Sequence, residues 1–135
     1  MSIGATIAII VAAVVILVII SLIGRTPPKG IDKEHFKNEW NDVMLLFKDK
    51  KTQPMSIVHA DKLLDEALKC LGYSGNTMAE RLIGAKAKLQ HRDEVWNAHK
   101  LRNKIVHETM HEPTEKQMKT ALQGYYKTFK DLGVL

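Results

Sequence analysis

Hydrophobic and polar positions divide this chain into two regimes. From Ile3 to Ile23 no charged residue interrupts a run of Ile, Val, Leu and Ala. About 20 apolar residues let a helix cross roughly 30 Å of hydrocarbon, so a single transmembrane helix is expected over residues 1–24. A cleaved signal peptide fits poorly. No Lys or Arg precedes the run, its apolar core is too long, and no Ala-x-Ala site follows. Arg25 and Lys29 flank only the C-terminal end, which predicts an external N-terminus and a cytoplasmic C-terminal domain. Residues 25–30, Arg-Thr-Pro-Pro-Lys-Gly, read as a stiff linker, because the paired prolines forbid helix continuation.

Beyond it the apolar positions recur every three to four residues and no alternating β-branched run occurs. Residues 31–135 are therefore expected to be all-α. Caps and breakers mark five helices. The first covers about 32–50, with Phe36, Trp40, Val43, Met44 and Phe47 on one stripe. Gln53-Pro54 opens the second, which turns Ile57, Ala60, Leu64, Ala67, Leu68 and Leu71 inward and stops at Gly72. Thr77-Met78-Ala79-Glu80 and Thr114-Glu115-Lys116-Gln117 are capping boxes for the third and fifth helices. The fourth spans about 93–110 and is ended by Pro113. The fifth carries Met118, Ala121, Leu122, Tyr125, Phe129 and Leu132, and ends at Gly133. Short connections make this a four- to five-helix antiparallel bundle.

Composition narrows the function classes. A net charge of +5, part of it from Arg25 and Lys29 beside the membrane helix, argues against a duplex-DNA binder. The single Cys70 excludes an intrachain disulfide and a cysteine-based zinc site, and suits a reducing compartment. Without a glycine-rich phosphate loop, ordinary ATP or GTP hydrolysis is not expected. His35, His59 and His91 show no ligand spacing and read as surface residues. Trp40, Trp96 and the Tyr125-Tyr126 pair read as packing groups. Lys48, Lys50 and Lys51 read as a solvated helix end, with contact to anionic lipid as the alternative.

The fourth helix breaks its own pattern. Its apolar arc places Leu101, Ile105 and Ala98 on one side, Val95 and Val106 in the middle, and Met110 and Trp96 on the other. Asn97, Lys104 and Glu108 mark the exposed back. Yet Arg102 and His99 fall near the centre of the arc, with Asn103 and His107 towards its rim. A buried Arg needs an acidic partner. Asp61, set among Ile57, Leu64 and Leu68 on the second helix, is the first candidate and Asp65 the second. On these grounds alone the polar residues tie helices together and do no chemistry.

Residues 101–108, Leu-Arg-Asn-Lys-Ile-Val-His-Glu, add a second reading, because they resemble the signature of the HEPN superfamily (higher eukaryotes and prokaryotes nucleotide-binding). That signature is Arg, four to six residues, then His, usually with a polar residue after the Arg. Arg102, Asn103 and His107 meet it. The resemblance covers residues 31–135 in length and helix order, and leaves the membrane helix outside. It implies an all-α bundle carrying the motif on a late helix, and a homodimer with two motifs facing each other. It also implies a metal-independent endoribonuclease without cofactor, or a binding domain that has kept the motif without catalysis. The residue types suit cleavage by RNA's own 2′-hydroxyl. His107 would accept and return a proton, Arg102 would hold the phosphate, and Asn103 would orient either one. Asp61 and His99 would support them, and the 2′-hydroxyl confines the substrate to RNA.

The expected protein is thus a single-pass component of the cell membrane with a cytoplasmic HEPN-like domain that binds or cleaves RNA. The alternative is a non-catalytic helical interaction domain tethered to the membrane. A third reading comes from the H-E-x-x-H pattern of residues 107–111, with His107 and His111 as zinc ligands and Glu108 as base. Against it, Glu112-Pro113 follow at once, no later His supplies a third ligand, and no strand edges a substrate cleft.

Overall fold

The computed structural model describes residues 2–23, 30–109 and 112–135. Most of the 25–30 linker, together with Met110 and His111, lies outside the described residues. Within them the regular structure is helical, as the spacing predicts. The elements are α1 (Ile3–Ile23), α2 (Lys33–Lys48), α3 (Gln53–Cys70), α4 (Met78–Gly84), α5 (Arg92–His107) and α6 (Glu115–Asp131). A 3-10 turn at Lys86–Lys88 was not announced by the periodicity.

Helix α1 is apolar on every side. Its window Ile3–Ile20 has a mean hydropathy of 3.2, and none of it is buried against the rest of the chain. It is long and apolar enough to cross a membrane.

The other helices begin where their cap residues stand. The Asp32 carboxylate accepts from His35 N at 3.1 Å and starts α2. Thr114 and Gln117 form the full reciprocal box at α6. At α4 the box is displaced: Thr77 accepts from Glu80 N, but the Glu80 carboxylate reaches one residue further out, to Asn76 N at 2.7 Å. Helices α3 and α6 end at Gly72 and Gly133, whose φ values of 85° and 70° suit glycine. There the N–H groups of Tyr73 and Val134 return to the carbonyls of Leu68 and Phe129.

Helix α5 stops short of the expected Met110. Glu108 is extended at φ −104° and ψ 108°, so His107 is the last helical residue. The cause is the reversal into α6. Thr114 is itself extended as the α6 cap and Pro113 cannot join a helix interior, so the turn takes its length from the end of α5.

Helix α3 is central and packs against α2, α4, α5 and α6. Its Ile57, Ala60, Leu64, Ala67 and Leu68 are fully buried. Helices α5 and α6 come into close backbone contact at Gly124, where a Cβ would stand 2.9 Å from the carbonyl oxygen of Glu94. No side chain fits there. That approach sets Val95 and Ala98 of α5 in the core beside Tyr125 and Phe129 of α6. Two residues assigned to apolar arcs lie at the surface instead: Met44 is 39% exposed and Val106 47%. The main neighbour of α2 is α3, which leaves the outer half of its stripe open, and Val106 sits in the last turn of α5.

Candidate functional site

Where α3, α5 and α6 join, the bundle collects four polar side chains around one carboxylate. Asp61 is only 4% exposed, and an isolated charge there would be costly. It is not isolated. The Tyr125 hydroxyl donates to its Oδ1 at 2.9 Å, and His99 Nδ1 meets the same oxygen at 2.8 Å. Arg102 Nε stands 3.5 Å from Oδ2, which is ion-pair contact rather than a hydrogen bond. That Nε is buried and finds no acceptor among the described residues. The guanidinium Nη1 donates instead to Asn103 Oδ1 at 3.0 Å, and Asn103 Nδ2 faces His99 Nε2 at 3.4 Å.

Arg102 sets the direction of this chain. A guanidinium has no acceptor, so the Asn103 atom it meets is the carbonyl oxygen. The amide nitrogen then points at His99 Nε2, which must accept. The His99 proton therefore sits on Nδ1 and is given to Asp61. Four side chains are locked in one order, and each fixes the next.

Of the residues singled out in the sequence, Arg102, Asn103, His99 and Asp61 come together. His107 does not. It is exposed at the end of α5, with no polar partner among the described residues. Five helical positions from Arg102 it is rotated by about 140° and displaced by about 7.5 Å along the axis. Arg102 nevertheless keeps 30% of its side chain exposed. With half-buried Asn103 and exposed Val106 it forms a solvent-facing strip on the last turns of α5, and His107 lies beyond the edge of that strip. The cleft of about 450 Å³ between α5 and α6 opens on the other side of α5, past Asn97, Leu101 and Lys104.

Asp65, the second candidate for Arg102, is engaged elsewhere. Arg81 holds it at 2.7 Å and Lys69 at 2.9 Å, and Arg81 also donates to the Gly75 carbonyl. Arg81 escaped the sequence reading because a seven-residue helix gives too little periodicity to show a buried charge. Tyr125 was read as packing alone. Its signal was the hydroxyl, since a buried Tyr needs an acceptor that Phe would not. His35 and His91 pair with Glu66 and Asp131 near the surface.

Zinc binding by residues 107–111 requires both histidines on one helix face. The helix ends at the first of them, and His111 lies outside the described residues. Among the described residues, no three His, Cys, Asp or Glu side chains are grouped to hold a metal ion.

Two groups make stability depend on pH. Burial first, then the Asp61 carboxylate, raises the Tyr125 hydroxyl well above its usual 10.0. For Asp65, burial opposes ionisation, but hydrogen bonds and charges from Arg81 and Lys69 outweigh it and hold the carboxyl below 3.8. The Tyr125 contribution is complete below 10.0 and is lost as pH rises through its folded value. The Asp65 contribution is complete above 3.8 and is lost as pH falls through its folded value. Thermal melts against pH should therefore show a plateau with two falling limbs. Tyr125→Phe should flatten the alkaline limb; an unaltered limb would contradict this assignment.

No protein-family model, curated protein or solved structure matches the chain.

Proposed function

We propose that this chain is a single-pass protein of the cell membrane, with α1 as anchor and a HEPN-like domain in the cytoplasm that binds RNA through the α5 strip. Cleavage follows where a second copy completes the site. The observation that carries this reading is the state of Arg102. Asp61 holds it by charge without sealing it, and 30% of the side chain remains exposed beside Asn103. A guanidinium fixed in that way offers its outer N–H groups to a phosphate.

His107 supplies the imidazole for proton transfer. Within one chain the two groups point apart, so the cleaving site pairs Arg102 of one copy with His107 of the other about a two-fold axis. Val106, exposed between them, is the apolar contact that such an interface would cover. In the reaction an imidazole removes the 2′-hydroxyl proton as that oxygen attacks the adjacent phosphorus. Arg102 neutralises the charge on the phosphate, and the 5′-oxygen departs with a proton. The products are a 2′,3′-cyclic phosphate and a 5′-hydroxyl, and the step balances without a metal or cofactor.

One observation favours the non-catalytic alternative. Arg102, His99 and Tyr125 all converge on Asp61, as in a structural tie. Binding separates the two. The full chain in detergent micelles is expected to bind labelled single-stranded RNA, and Arg102→Gln should weaken that binding by about tenfold at unchanged helicity, the loss of one charge-assisted contact. Equal binding by both chains, or none by either, contradicts RNA recognition at Arg102. For the orientation, a reporter fused after Leu135 should be active only inside the cell; activity outside overturns it.

A further inference from the structure

A second surface, sharing no residue with the α5 strip, has a composition of its own. On α2, Lys33, Lys37, Trp40 and Met44 recur at spacings that place them on one face. On α6, Lys119, Tyr126 and Lys130 do the same. The two faces meet where Trp40 lies against Tyr126, with ring centroids 5.7 Å apart. Two adjoining clefts of about 490 and 530 Å³ share Trp40, Met44 and Tyr126 in their walls. Together their linings hold five lysines and no Asp or Glu. One of the five, Lys127, is already bound to Glu94 at 2.8 Å. The other four have no carboxylate partner among the described residues.

We propose that this α2–α6 face docks on the anionic phospholipid headgroups of the membrane that holds α1. The inference rests on α1 spanning that membrane. Exposed Met44 and Tyr126, 39% and 41% accessible, share the cleft walls with these lysines. That arrangement suits a bilayer surface, where aromatic rings settle at headgroup level and lysine stems lie along apolar surface with their ammonium groups on phosphates. The tether delivers the face. Eight peptide steps separate Ile23 from Ile31, at most about 29 Å of chain, and Lys33 and Lys37 begin the very next helix. Docking is then effectively intramolecular, so weak contacts suffice.

RNA is the competing occupant of a basic, aromatic face, but base stacking needs an open ring. Tyr126 is engaged by Trp40 and by the Lys130 ammonium 5.5 Å from its centroid. Trp40 packs against Phe129 as well, at 5.6 Å.

The test places the full chain in nanodiscs whose lipids carry bromine near the glycerol end of the acyl chains. With about one phosphatidylglycerol in three lipids, tryptophan emission is expected to fall by about half, and to recover in phosphatidylcholine alone or at high salt. Trp40→Phe, which leaves Trp96, should remove the lipid dependence. So should Lys33→Gln, Lys37→Gln and Lys130→Gln together, whereas Lys50→Gln with Lys51→Gln should not. The comparison of lipids on the unaltered chain stands without any variant. A chain that floats with the discs yet emits equally in both lipids overturns the docking and leaves the anchor in place. A chain that does not enter the discs overturns the anchor and the docking with it. Protection of Lys33, Lys37 and Lys130 from acylation by single-stranded RNA, and not by anionic lipid, overturns the proposal in favour of RNA.

Discussion

Asp61→Ala is expected to destabilise the domain by about 3–5 kcal/mol, the usual consequence of deleting one member of a buried charged cluster. Two partners lose their acceptor and a third loses its counter-charge at once. The Tyr125 hydroxyl is wholly buried and has no other acceptor within reach among the described residues. His99 loses the oxygen at 2.8 Å that fixes its proton. Arg102 is left with a buried Nε and no carboxylate. Against the roughly 5–15 kcal/mol that stabilises an ordinary domain, such a loss is a large share. Arg102→Ala should cost less, because that side chain is 30% exposed and its contact with Asp61 is 3.5 Å. Urea unfolding of the full chain in detergent measures both. A loss for Asp61→Ala below about 1 kcal/mol, the range of surface pairs, would contradict the role given to the cluster.

The second large effect is on chemistry. His107→Ala is expected to lower RNA cleavage by about 10²–10⁴-fold, the range for removing a general acid or base. It should leave stability within about 0.5 kcal/mol, as for other exposed positions. His107 touches no polar partner among the described residues, so nothing structural is lost with it. A site shared between two copies makes a sharper demand. Chains carrying His107→Ala and chains carrying Arg102→Gln are each deficient, yet mixing them should restore part of the activity, because one of the two composite sites is then intact. Absence of recovery in a mixture that does form dimers would contradict the shared site. His111→Ala and EDTA should both leave cleavage unchanged, whereas zinc chemistry would be sensitive to each.

Local signals carried most of the fold. Thr114 caps where its side chain predicts, since an N-cap needs only its own oxygen and the N–H two or three positions on. Gly72 and Gly133 end their helices for an equally local reason. The early end of α5 was not legible, because the space needed to turn into α6 is set by how the two helices pack. The exposure of Met44 and Val106 was missed for a related reason: periodicity gives the direction of a residue on its helix, not the presence of a neighbour on that side.

The site divides along the same line. The pairing of Arg102 with Asp61 followed from the rule that a buried charge needs a partner. The Tyr125 hydroxyl was hidden by its place in an apolar stripe. The separation of His107 from Arg102 was implicit in five helical steps, but a linear motif draws the two residues together on paper.

The most direct measurement is the end chemistry of RNA incubated with the full chain in EDTA, read at nucleotide resolution. The expected result is 2′,3′-cyclic phosphate ends on single-stranded RNA, none on the 2′-deoxy strand of the same sequence, and none with His107→Ala. A folded, dimeric chain that leaves every RNA intact would contradict catalysis and leave Arg102 and Asp61 as a structural tie.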